Sequence, residues 1–197
     1  MQPELPFRSD RIAMSKRNEL QCDVMSETQR DDVESADRFP IGSAVVLDFR
    51  PILKRISEDD FFDFCQAQPE LQLERTADGK LIIMPPEAYE TGSESFTLGT
   101  IFAQWVRADG TGIGFGSSTG FTLPNGAMRS PDLAWVRKDR DKSLTPAERL
   151  RFAPICPDFV VELRSPSNTL AGLKAKMEEW IQNGVLLGWL IDPFKKQ

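Results

Sequence analysis

Pro157-Asp158-Phe159-Val160-Val161-Glu162-Leu163-Arg164-Ser165-Pro166 is the stretch from which the rest of the chain is read. Prolines bound it, and Phe, Val and Leu suit a buried, pleated strand. Glu162 interrupts that apolar run. A buried glutamate of this kind is either paired with a cation, such as a neighbouring arginine, or bound to a metal ion. Upstream, Pro131-Asp132-Leu133-Ala134-Trp135-Val136 has the same form. Alternation puts Asp132, Ala134 and Val136 on one face of this strand, and Val160, Glu162 and Arg164 on one face of the other. If the strands pair, Asp132 and Glu162 converge at one end of a sheet, where a divalent cation supplies the counter-charge. The Pro-Asp dipeptide itself proves nothing, because the chain's 14 prolines and its aspartates give roughly one such pair by chance.

After Ser165-Pro166-Ser167-Asn168 the apolar positions Leu170, Leu173, Met177, Trp180 and Ile181 recur at helical spacing as far as Asn183-Gly184. Lys174 and Lys176 flank opposite edges of that stripe. Periodicity does not choose between them, and either fits a surface lysine whose stem lies along the apolar face. Leu186 to Ile191 then reads as a last strand whose apolar edge favours pairing with another chain, so self-association is expected.

Working towards the amino terminus, Thr145-Pro146 opens a short connecting helix with Glu148 as its capping acid. Short strands flank Gly116 to Thr119, and a helix is expected from Ser93 to Asp109. Leu71 to Thr76 and Lys80 to Met84 form a hairpin around Asp78-Gly79, and a helix is expected from Ser57, with Glu58, Asp59 and Asp60 in its first turn, to Gln68. Glu74, Glu90 and Glu94 each read as surface acids. Residues 1–45, polar and without a period, are expected to be a flexible extension, and residues 46–197 the folded domain. The order of elements predicts an α/β protein of the mixed α+β kind, a mixed β-sheet flanked by helices.

Among 197 residues there is no histidine. That excludes serine-histidine-acid hydrolases, papain-like enzymes, HNH-type nucleases and histidine-ligated zinc sites. Carboxylates, lysines, arginines and hydroxyls remain, the kit for magnesium-dependent chemistry on phosphates. The net charge of −6 argues against broad nucleic-acid binding. Residues 127–151 nevertheless carry seven basic and four acidic side chains, leaving a local positive window around Asp132. Cys22, Cys65 and Cys156 stand far apart, the amino terminus lacks a secretory pattern and no apolar run would span a bilayer, so a cytoplasmic, membrane-free protein is expected.

Asp132 in Arg-Ser-Pro-Asp, Glu162 in Pro-Asp-Phe-Val-Val-Glu-Leu-Arg-Ser-Pro-Ser, Lys176 in Lys-Met-Glu-Glu-Trp-Ile-Gln-Asn-Gly-Val and the closing Gly-Trp-Leu-Ile-Asp-Pro resemble the Uma family of restriction-endonuclease-like proteins, within the PD-(D/E)xK nuclease superfamily. The resemblance runs from about Ile52 to Pro193. It implies a restriction-endonuclease-like core, with the relatives' last carboxyl-terminal strands lacking here. It also implies a Mg²⁺- or Mn²⁺-dependent endonuclease acting on nucleic acid, DNA first. Asp132 and Glu162 would be the catalytic metal ligands, Lys176 the catalytic lysine and Glu90 a third acid. Arg164 stands where the plain superfamily motif has lysine, and unlike lysine it cannot position or deprotonate a water. Arg164 and Arg129 are therefore expected to hold phosphate. The rival reading is a non-catalytic relative that binds nucleic acid or protein.

Overall fold

The computed structural model describes residues 11–15, 44–48 and 56–194. Its strands in chain order are β1 (Arg11–Ser15), β2 (Val45–Leu47), β3 (Gln72–Arg75), β4 (Leu81–Met84), β5 (Gly112–Gly116), β6 (Phe121–Thr122), β7 (Met128–Arg129), β8 (Leu133–Arg137), β9 (Phe159–Leu163) and β10 (Leu187–Ile191). The helices are α1 (Glu58–Gln66), α2 (Tyr89–Asp109), the short α3 (Lys138–Asp141) and α4 (Leu170–Asn183).

The strands make two sheets of five. The first has the order β1-β10-β9-β8-β5, with β9 and β10 parallel and the other neighbours antiparallel. In the β8–β9 ladder Leu133 faces Val161, and Ala134 faces Val160. One step beyond that ladder, the same register sets Asp132 across from Glu162. Helices cover both faces. Leu173, Met177 and Trp180 of α4 pack on Ala134, Val136, Val160 and Leu190, while Phe102, Leu98 and Val106 of α2 pack on Phe159, Val161 and Leu133. Met177 of α4 packs its terminal methyl over Gly188, where a β-carbon would come within 2.2 Å of Cε and the methionine would have to shift. Thr169 caps α4 by accepting the Gly172 N–H at 3.1 Å, and Gly184, with φ at 124°, ends it.

The second sheet, β2-β4-β3-β7-β6, is antiparallel throughout. Helix α1 packs Phe61 on Leu73, Leu81 and Met128 of this sheet. Ser57 and Asp60 form a reciprocal capping box at its start. From this sheet, β3 and β7 deliver Glu74 and Arg129 toward α4.

Three expectations change. Helix α2 starts at Tyr89 rather than Ser93, because Ala88 is already in the extended geometry of a helix cap and Glu90 suits the first turn. At Thr145 the capping contact forms, with the Thr145 N–H donating to Glu148 at 2.7 Å, yet only a 3₁₀ turn, Glu148–Leu150, follows. The edge of β10, expected to be open, is paired over its whole length with Arg11–Ser15. That strand lies within the stretch read as a flexible extension. The remainder of that reading, residues 1–10 and 16–43, lies outside the described residues. Among the described residues no helix is long and apolar enough to cross a membrane.

Candidate active site

Glu162 is 3% exposed, on the central strand β9. Its carboxylate accepts the Trp180 indole N–H at 2.9 Å and contacts the Lys176 ammonium at 3.0 and 3.2 Å. Lys176 and Trp180 are four residues apart on α4 and so point the same way. Lys176 also donates to the Ser130 carbonyl at 3.0 Å and to Glu74 at 3.0 Å, which satisfies its three N–H donors. Lys174 is half-buried and joins none of these acids. The choice that helical periodicity left open is thus made by the fold: Lys176 faces the acids.

Glu74, expected as a surface acid, is 2% exposed. It accepts the Ser130 N–H and the Arg129 guanidinium, both at 3.0 Å, as well as Lys176. Arg129 turns its Nε to Glu179 of α4 at 2.6 Å. Burial alone would raise the Glu74 pKa, but the charges of Lys176 and Arg129 and the Ser130 N–H outweigh it and hold that carboxyl below its ordinary value. Lys176 is pushed up, because the fields of Glu162, Glu74 and Asp132 overcome its desolvation. Glu162 goes the other way. Burial, opposed by Lys176 but reinforced by Asp132 and Glu74, raises it to about 7.

Asp132 stands where this cluster meets a cavity of about 300 Å³ between α2 and the ends of β5 and β8. Its carboxylate accepts the Leu163 N–H. Burial raises its pKa, against the pull of Lys176, and nearby Glu87 and Glu74 raise it further. The cavity is also lined by Glu87, Ser95 and Phe96, and Ser95 donates to Glu87 at 2.8 Å. Glu90 is exposed on the first turn of α2 and does not line this cavity. The acid that α2's entry segment brings to Asp132 is Glu87, which the sequence reading missed.

The two arginines assigned to phosphate are both engaged by carboxylates. Arg129 bridges Glu74 and Glu179. Arg164 sits across from Asp192 in the β9–β10 register and pairs with it at 2.9 Å. The second Pro-Asp dipeptide is structural, since Asp158 accepts the Arg137 N–H and pairs with Arg140, each at 2.9 Å.

A family model, "Uma2: Putative restriction endonuclease", matches residues 58–197. The chain belongs to the Uma2 family. Its fold is that of the restriction-endonuclease-like proteins. A solved structure from Anabaena variabilis, described as a "putative nuclease belonging to DUF820", superposes with a TM-score of 0.56. The two chains are 21% identical, and the match covers 71% of this chain and 75% of that one. No curated protein matches the sequence.

Restriction-endonuclease-like families generally use divalent metals. Among the described residues no three His, Cys, Asp or Glu side chains form a ready-made ligand group. The donor chemistry is nevertheless right for a hard cation. Around Lys176 and Arg129 stand four carboxylates, Glu74, Asp132, Glu162 and Glu179, so negative charge exceeds positive. Burial raises the pKa of Asp132 and Glu162, and the neighbouring acids add to it. Carboxylates in that state favour an added cation with oxygen-ligand preference.

Proposed function

We propose that this Uma2 chain is a metal-dependent endonuclease that hydrolyses phosphodiester bonds in nucleic acid, with DNA as the first substrate to test. Asp132 and Glu162 would hold Mg²⁺ or Mn²⁺. The observation that carries the reading is the Lys176 ammonium, 3.0 Å from Glu162 in a cluster that also senses the charge of Asp132 at the cavity wall. A divalent cation bound there would supply polarisation of a phosphoryl oxygen and a lowered pKa for a water.

The chain's own residues supply the rest. Lys176 keeps its proton at neutral pH and presents a fixed positive charge where negative charge develops on the phosphate. Trp180 fixes the rotamer of Glu162, and Glu74 fixes that of Lys176, so neither must reorganise during reaction. Glu87 takes the part of third acid that the sequence reading gave to Glu90. Arg129 positions Glu74 and Glu179 rather than touching phosphate, and Arg164 braces the turn after β9. The three scattered cysteines support work in the reducing cytoplasm.

The test is cleavage of plasmid and single-stranded DNA and of RNA with Mg²⁺ or Mn²⁺, alongside calorimetric titration of the metal. Asp132→Asn and Glu162→Gln are expected to lose both cleavage and metal binding. If the wild type binds nucleic acid but neither metal nor any cleavage is detected, the non-catalytic binding module replaces this reading.

A further inference from the structure

Electrostatics restricts what can hold a phosphate in the cavity beside Asp132. The charged side chains of its lining are two acids, Glu87 and Asp132, and among the described residues no lysine or arginine lines it. Lys176 spends its three N–H donors on Glu162, Glu74 and the Ser130 carbonyl. Arg129 and Arg164 are engaged by Glu74, Glu179 and Asp192. A phosphodiester anion brought into that field is repelled unless an added cation offsets the acids. Any direct contact from the wall of the cavity must then come from a neutral donor.

Two of the lining side chains can donate a hydrogen bond, Ser95 and Ser117. The Ser95 hydroxyl is given to Glu87 at 2.8 Å. That of Ser117 has no partner among the described residues. Ser117 follows the last residue of β5 in an exposed turn, closed by the Thr119 N–H on the Gly116 carbonyl at 3.1 Å. The turn is also held from outside, since Gln72 Nε2 donates to the Ser117 carbonyl at 3.0 Å. Gln72 and Glu74 are two positions apart on β3 and so share a face of that strand. Glu74 holds Lys176, and Gln72 holds the turn that carries Ser117. One face of the second sheet thus supports both the lysine and the free hydroxyl.

We infer that the Ser117 hydroxyl binds substrate by donating to a phosphate oxygen in the cavity, and that Gln72 is the positioning residue that keeps it there. This rests on the nuclease reading and adds to it a substrate contact that is neutral. A neutral donor displaces no counterion, so its loss leaves the salt dependence of binding unchanged, whereas the loss of a lysine or arginine contact makes that dependence shallower.

The full chain is assayed for cleavage of a short labelled DNA, and of RNA of the same sequence, with Mg²⁺ or Mn²⁺. Binding of the same probes is measured with Ca²⁺ instead, at several salt concentrations. Ser117→Ala is expected to raise KM and Kd about tenfold, the loss of one hydrogen bond to a charged group, with kcat, metal affinity and the slope of log Kd against log salt unchanged. Ser117→Thr keeps the hydroxyl and should recover the wild-type values. Gln72→Leu should raise KM without lowering the melting temperature, and should add nothing to Ser117→Ala. Ser118→Ala, in the same turn but outside the cavity lining, should match the wild type.

Equal KM and Kd in Ser117→Ala and Ser118→Ala overturn the Ser117 contact. So does a loss of affinity that comes with a shallower salt slope or with weaker metal binding, because the effect then lies at a basic group or at the acids. Ser117-dependent binding without cleavage under any metal condition would count against the nuclease and leave the contact standing. Asp132-dependent cleavage indifferent to Ser117 and Gln72 would do the reverse, and a wild type that neither binds nor cleaves either probe overturns both.

Discussion

Trp180 donates its indole N–H to Glu162 at 2.9 Å, one helical turn along α4 from the lysine that holds the same carboxylate. A tryptophan at the centre of the larger core thereby has a second task. Its ring fills the space between α4 and the sheet, and its single polar atom fixes the acid proposed to hold the metal.

Trp180→Phe keeps most of the ring and removes the donor. A buried carboxylate oxygen that loses a partner costs about 1–3 kcal/mol, and denaturant unfolding should show a loss of that size. Metal affinity measured by calorimetry is expected to fall as well, because Glu162 is no longer held in one rotamer. A loss of stability with unchanged metal affinity would confine Trp180 to packing.

Lys176→Met and Lys174→Met separate the two helix lysines. Lys176 satisfies two buried acids, and its removal should destabilise the metal-free protein by about 3 kcal/mol, the lower end for one lost partner of a buried ion pair. Added Mg²⁺ should recover part of that loss, since the acids then regain a cation. Cleavage should disappear while metal binding persists. Lys174→Met should be close to neutral in both assays. Equal behaviour of the two variants would remove Lys176 from the mechanism.

Much of this was legible because strands β8 and β9 announce themselves: prolines bound them, Val, Leu, Phe and Trp fill them, and Glu162 is out of place among those residues. Alternation then sets Asp132 and Glu162 on matching faces, and the β8–β9 register agrees. Glu74 was not legible. In Gln72-Leu73-Glu74-Arg75 it occupies the polar position of an alternating strand, and only the approach of α4 covers that face. Its partners Arg129 and Lys176 lie 55 and 102 positions away, a separation that no local pattern reports. Arg164 misled for the opposite reason. Two positions after Glu162 it resembles a motif, but its partner Asp192 is set by the pairing of β9 with β10.

Glu74→Gln combined with Lys176→Met tests whether the second sheet is energetically tied to the site. The two side chains meet at 3.0 Å, and contacting residues in one buried network couple by about 0.5–3 kcal/mol. A double-mutant cycle on unfolding free energy should show coupling in that range. Additive effects within about 0.3 kcal/mol would mean that Glu74 serves Arg129 alone.

The pH dependence follows from Glu162. Its carboxyl is raised to about 7 by burial and by the neighbouring acids, from an ordinary value of 4.5. Between those values the folded chain holds a proton that the unfolded chain has released, so stability falls as pH rises. Glu162→Gln has no such proton. The wild type should lose on the order of 3 kcal/mol relative to the variant between about pH 4.5 and 7, measured by urea unfolding without divalent metal. A difference that is flat or that rises with pH would show that Glu162 is ionised across the window.

The edge of β10 provides the last test. Arg11–Ser15 pairs with Ile191–Leu187 in antiparallel register, with Ala13 across from Trp189 and Met14 across from Gly188. In such a ladder successive N–H groups point to opposite sides, so only one of Ala13 and Met14 donates toward β10. Proline at that one position removes a ladder hydrogen bond, and at the other it leaves the β1–β10 ladder intact. Ala13→Pro and Met14→Pro should therefore differ in melting temperature, and the less stable of the two should associate with rising concentration on light scattering as the β10 edge becomes available. Deleting residues 1–15 should reproduce the more severe behaviour. Three proteins that melt like the wild type and remain equally monomeric would show that β10 does not depend on this strand for its cover.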